Sequence, residues 1–392
     1  MTSIRPVAAA ERLPLVDVLR GVAISGVLVA YTFWSLGAPS ASTWRAGERI
    51  LDTGMDLLVD AKFVTIFAFL FGLGTSQQWR RIAAHGRDVR GIHLRRMTFL
   101  LAAGLVHAVA LRNGDILAPY AILGFVLLAA RGRTNRQLAA VAVVLALLPY
   151  AIQVAMSAAR WQFGPRPDGG GDADWSAYWR DNLAWLRYWY VTNPLLAFPR
   201  ILAVMLVGVL ADRARLIARI AVERRLALRA LVITLPLAIV FRGTFAMLPA
   251  RWAPEHAPFV RGIVLNQIYY LAAWSLAASY VAAFALLCQR PAWPERLSWL
   301  RAVGRMAFTN YVLQAGLVVP ACLAFGLFDH VRPFTALALA LGVLAIEIPF
   351  SVWWLSANEY GPIEWLWRRF SYGAIAGARV GIGGIGAGRS PV

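Results

Sequence analysis

The chain is dominated by apolar runs long enough to cross a lipid bilayer. A crossing helix needs roughly 20 apolar residues, and only a helix or a closed barrel pairs every backbone amide inside hydrocarbon. Such runs recur near 15–37, 62–78, 97–111, 116–130, 137–159, 196–212, 230–247, 262–288, 306–326 and 333–356. With 59% hydrophobic and 15% charged residues, no soluble core could absorb them. The fold class expected is therefore all-α: a polytopic transmembrane helix bundle of about ten spans, forming one domain over 1–373. A glycine-rich tail at 374–392 follows, too poor in apolar residues to pack and expected to be disordered. Asp17 and Arg20 interrupt the first run, which is too long for a signal-peptide core, so that segment is expected to be retained.

Net charge is +19, but the basic residues lie in short clusters between apolar runs, a topology signal and not a nucleic-acid face. With the N-terminus placed inside and the spans alternating, 25 of the 39 Lys and Arg residues fall on the inner side and 12 on the outer. The inner clusters include the six from Arg80 to Arg96 and the six from Arg213 to Arg229. Basic loops are held in the cytoplasm, so both termini are expected there. Cys288 and Cys322 share no redox or metal spacing and read as small hydrophobes.

The longest outer segment, 160–195, holds a Pro/Gly/Asp stretch and then Trp175, Tyr178, Trp179, Trp185, Tyr188, Trp189 and Tyr190, which reads as an interfacial helix. Ionisable groups within spans are costly and hence functional candidates. Asp17 and Arg20 can pair on one helix face near the inner end of the first span, as a structural ion pair or a headgroup contact. His107, near the outer end of the third span, is followed by Arg112, Asp115 and Tyr120 within one hairpin. A histidine oriented by a carboxylate can serve as a general base, although Asn113-Gly114-Asp115 is also ordinary turn and capping chemistry. Asn310 and Gln314, four apart on the ninth span, and Glu347 in the tenth can bond between helices or line a path. Arg242 can snorkel to the outer interface. His85 and His93 are placed in an inner loop and His256 and His330 in outer loops. None has metal-ligand spacing, and no P-loop or Gly-x-Ser-x-Gly occurs.

These residues carry a resemblance. Leu15-Val-Asp-Val-Leu-Arg-Gly-Val-Ala-Ile24, Phe67-Ala-Phe-Leu-Phe-Gly-Leu-Gly74, the stretch from Gly104 to Tyr120, Gly304-Arg-Met-Ala-Phe-Thr-Asn-Tyr-Val-Leu-Gln314 and Gly361-Pro-Ile-Glu-Trp-Leu-Trp-Arg368 resemble the signatures of the bacterial YeiB-like (DUF418) family. The DUF418 signature falls within about 230–373. That family is distantly similar to membrane acyltransferases, which implies a multi-pass protein of the bacterial cell membrane. The similarity further implies acyl-coenzyme A as candidate donor and an acceptor of unspecified chemistry, with membrane lipids as partners and no permanently bound cofactor. On this reading His107 is the base and Asp115 its orienting partner. Arg20 or Arg112 would contact an anionic group, with Asp17, Tyr120, Asn310, Gln314 and Glu347 as further substrate-binding candidates. The alternative is a transporter or exporter whose path is lined by Asp17, Arg20, Asn310 and Glu347; against it, no paired Gly/Pro-broken helices occur in matching halves.

Overall fold

The computed structural model describes residues 13–34, 43–111, 114–159, 175–248, 258–328 and 331–373. Arg112, His256, His330, the Pro/Gly/Asp stretch and the 374–392 tail lie outside the described residues.

Every expected span falls on a helix. In chain order these are α1 (Pro14–Trp34), α2 (Ala46–Leu58), α3 (Lys62–Ala84), α4 (Val89–Ala110), α5 (Leu117–Leu127), α6 (Asn135–Ala158), α7 (Trp175–Leu196), α8 (Phe198–Arg213), α9 (Leu216–Ile220) and α10 (Arg224–Met247). They continue as α11 (Pro258–Cys288), α12 (Trp293–Arg296), α13 (Ser298–Arg305), α14 (Ala307–Ala324), α15 (Pro333–Ala357) and α16 (Pro362–Tyr372). No strand occurs among the described residues. Among the described residues, eight stretches are long and apolar enough to cross a membrane, with α2 and α3 counted as one. The pair α7–α8, bent by 58°, adds a ninth, and α5 with its following 3-10 turn supplies the tenth apolar pass.

The tenth pass differs from the others. With 11 residues in α5 and three in the 3-10 turn, it rises only about 22 Å, against roughly 30 Å of hydrocarbon. α5 and its 3-10 turn are therefore too short to cross the full hydrocarbon thickness on their own. Parity is unaffected, because a hairpin that turns back returns the chain to the side it left. α7 covers the end of α4: Tyr178 Oη donates to Leu111 O, and Asn182 Nδ2 donates to Ala108 O at 2.8 Å. Those carbonyls end α4 and would otherwise lack partners.

α3 is central, lying against α1, α8 and α11. Small residues set the closest approaches, since helices in lipid associate by packing and not by a hydrophobic drive. A methyl group on Gly72 would lie 1.9 Å from Met205 O of α8, and one on Gly304 would lie 1.9 Å from Asp17 O of α1. By contrast α6 and α10 turn most of their surface outward, with Val143, Val232 and Ile239 each about 60% exposed. That apolar rind suits acyl chains and not water.

Two expectations change. His93 is not in a loop: α4 begins at Val89, with Asp88 capping it by accepting from Arg90 N and Gly91 N. The His93 ring is fully buried, its Nδ1 accepting from Trp79 Nε1 at 3.1 Å and its Nε2 lying 2.9 Å from Gly124 O. Arg242 does not simply snorkel, because it pairs with Asp56 of α2. The aromatic outer segment does form a helix, α7, and it leads through the bend directly into α8.

Candidate functional site

Gly104 and His107 are one turn apart on α4, facing the start of α5. A methyl on Gly104 would lie 2.3 Å from Ala118 N and 2.8 Å from Asp115 Oδ2, so only glycine lets the two helices approach closely enough to seat the Asp115 carboxylate. Asp115 is 1% exposed and held from two sides: Oδ2 accepts from Ala118 N at 2.7 Å, capping α5, and Oδ1 accepts from Tyr311 Oη at 3.2 Å. Both readings of the turn thus apply, since Asp115 caps a helix with one oxygen and has the other beside a histidine. His107 is 4% exposed, with Nδ1 3.2 Å from Asp115 Oδ1. That approach has ion-pair distance but lies off the hydrogen-bonding direction, so neither ring nitrogen makes a hydrogen bond among the described residues.

Tyr311, in the second turn of α14, completes the cluster. Its ring stacks on His107 at 4.7 Å and 29°, and its hydroxyl oxygen also accepts from Ile116 N at 3.0 Å. The buried Tyr190 hydroxyl of α7 has no hydrogen-bond partner among the described residues. An imidazole, a carboxylate and a phenol thus meet inside the bundle. Buried polar atoms without partners mark a place where a ligand or water completes the bonding.

The other candidates lie apart from this cluster. Tyr120 is 2% exposed and donates to Val64 O at 3.1 Å, its ring against Phe67 and Phe71 of α3, so it belongs to the helix packing behind the hairpin. Asp17 and Arg20 pair at 3.4 Å near the arginine-rich end of α1, with the Arg20 side chain 36% exposed. Around them the terminal signature stretches meet: the Arg96 guanidinium lies 3.9 Å over Trp367, and Gln78 Nε2 donates to Tyr372 Oη at 2.8 Å. A third group joins α14 to α15. Gln314 Nε2 donates to Glu347 Oε2 at 2.8 Å, and Asn310 Nδ2 donates to Ser351 Oγ at 2.9 Å. Asn310, Glu347 and Ser351 are fully buried, and Glu347 Oε1 has no hydrogen-bond partner among the described residues.

Glu364 of α16 was not singled out in the sequence. It accepts from Phe308 N at 2.7 Å, from Thr309 N at 3.0 Å and from Thr309 Oγ1 at 2.6 Å, capping α14 from a distant helix and so fixing the turn that carries Tyr311. Burial pushes its carboxyl above the usual carboxylate range, against the pull of those bonds. Among the described residues no group of three or more His, Cys, Asp or Glu side chains could hold a metal ion.

Residues 211–374 match the model of the family described as "Protein of unknown function (DUF418)". The chain is 27% identical to "Uncharacterized protein YxaH" of Bacillus subtilis (strain 168), over 95% of this chain and 97% of the relative. It is likewise 27% identical to "Uncharacterized protein YeiB" of Escherichia coli (strain K12), over 94% and 98%. No solved structure matches.

Proposed function

We propose that this chain, a YeiB-like membrane protein of the DUF418 family, transfers an acyl group from a cytoplasmic thioester to an acceptor within or across the membrane. The observation that carries the reading is the buried His107 imidazole, its Nδ1 beside an Asp115 carboxylate pinned by two other donors and its Nε2 without a partner among the described residues. A carboxylate beside Nδ1 favours the Nδ1–H tautomer and leaves the Nε2 lone pair available. His107 Nε2 then takes the proton from an acceptor hydroxyl or amine as its oxygen or nitrogen bonds to the thioester carbonyl carbon. When the carbon–sulfur bond breaks, the imidazolium returns that proton to the departing thiolate, so the histidine ends as it began. The short α4–α5 hairpin supports the reading, because a site within the bundle can be approached by a donor from one face and an acceptor from the other. Two cavities at the arginine-rich end are lined by other residues and belong to a different part of the bundle from the His107 cluster. Bacterial relatives and the inner arginine clusters fit a multi-pass protein of the bacterial cytoplasmic membrane.

The test uses purified protein in liposomes, acetyl-coenzyme A labelled in the acetyl group, and a membrane lipid and glycan extract as acceptor pool. His107→Gln is expected to keep its thermal midpoint while labelling falls ~10²–10⁴-fold, the range of lost proton transfer. Asp115→Asn should lose less, because the imidazole remains. Labelling that persists in His107→Gln, or that falls only in step with stability, refutes the base assignment. A carrier is the second reading, favoured by the buried Glu347 with its free oxygen. It predicts no thioester-dependent labelling, and substrate counterflow that Glu347→Gln abolishes and His107→Gln does not.

A further inference from the structure

At the arginine-rich end lies a cavity of about 370 Å³ between α3, the turn before α6 and the end of α8. Four arginines line it: Arg80, Arg131, Arg133 and Arg213. Two of them are committed to the framework. Arg80 Nη2 holds the buried Asp212 carboxylate at 2.7 Å. Arg213 spends its two terminal nitrogens on Arg133 O, Asn135 Oδ1, Ala130 O and Arg131 O at 2.7–3.3 Å. That clamp fixes the backbone of the 130–135 turn, so Arg131 and Arg133 project from a held loop. Asp212 is the single acidic partner that the wall arginines have among the described residues. A second cavity of about 230 Å³ shares Arg80 as a wall. Topology alone requires basic residues at this end but not their arrangement around a hollow, nor a fourth arginine spent on holding the loop beneath two others.

We propose that this cavity is a binding site for a phosphate-bearing ligand, with the Arg131 and Arg133 guanidiniums as its direct contacts and Arg213 as the residue that positions them. Guanidinium forks match phosphate oxygens bidentately, and Trp79 supplies an apolar wall for whatever carries the phosphate. The volume exceeds what a lone phosphate needs and lies in the range of small-ligand sites. Two sources offer this chemistry, an anionic lipid headgroup and a soluble phosphate compound. The site does not depend on acyl transfer, because none of its residues belongs to the His107 cluster.

The probe is pyrophosphate, added to the full chain in nanodiscs of phosphatidylcholine while the thermal midpoint is followed. Wild type is expected to be stabilised, and R131Q/R133Q to need ~10-fold or more pyrophosphate for the same shift. R225Q/R229Q, which removes the same charge elsewhere at this end, should respond as wild type does. So should H107Q, whatever becomes of the catalytic reading. Phosphatidylglycerol in the nanodisc separates the sources. If it stabilises wild type over R131Q/R133Q and abolishes the pyrophosphate response, the ligand is a lipid headgroup; if the response survives it, the ligand is soluble. The proposal is overturned if neither probe distinguishes wild type from R131Q/R133Q, or if R225Q/R229Q loses the response equally.

Discussion

Gly104→Ala is the substitution by which the α4–α5 hairpin can be tested without a known substrate. The new methyl would stand 2.3 Å from Ala118 N, a backbone atom that no rotamer change can move. With ordinary contacts near 3.5 Å, the two helices must part by about 1 Å. Overpacking of that kind costs about 1–3 kcal/mol, offset by the ~0.5–1 kcal/mol that alanine gains over glycine in a helix. The movement also presses on Asp115 Oδ2, 2.8 Å from the methyl, and so draws the carboxylate away from His107. Gly316→Ala in α14 is the internal control, because nothing lies within 4 Å of its added methyl and only the propensity gain applies. Thermal unfolding of purified protein, followed by tryptophan fluorescence in one detergent, should show Gly104→Ala melting several degrees lower and Gly316→Ala melting level with or above wild type. Equal shifts in the same direction for both would refute the close approach of α4 and α5, and with it the seating of Asp115.

Reporter fusions after Arg136 and after Arg166 should report opposite sides of the membrane, and a common side would sink the alternating topology. For Asp17 and Arg20, Asp17→Asn with Arg20→Gln should be more stable than the worse single variant. The coupling should stay below about 1 kcal/mol, because the Arg20 side chain is 36% exposed and its charge is screened. The Glu364 carboxyl is raised above its ordinary 4.5, so the folded state holds a proton that the unfolded state has released. Stability should therefore decline as pH rises from 4.5 through the raised value and then level off; melting curves across that window should show the slope in wild type and not in Glu364→Gln.

The spans were legible because hydrocarbon forces the backbone to bond within each helix, leaving the long apolar run as a local signature. α13 and α16 escaped because they are short helices with polar faces, recognisable only by what they cap and cross. α4 was placed eight residues late. Its true start carried a signal, Asp88 ahead of Val89, but the arginines that follow it looked like a loop. His107 and Asp115 were readable as a pair because one hairpin holds both, whereas Tyr311, nearly two hundred residues onward, has no spacing that links it to them. Tyr120 was grouped with them by proximity in the chain; on a helix, five residues past Asp115 puts it toward α3.

The crossing of α1 on α13, where Gly21 and Gly304 bring backbone against backbone, bears on how the protein is made. α1 meets α3 soon after it is made, but α13 only after most of the intervening chain has been synthesised. Until then the face of α1 that carries Gly21 is without the α13 backbone that closes it. Loss of the chain from α13 onward therefore leaves that face of α1 open. A missense change that adds bulk at Gly304 would accordingly act on α1, far from it in sequence.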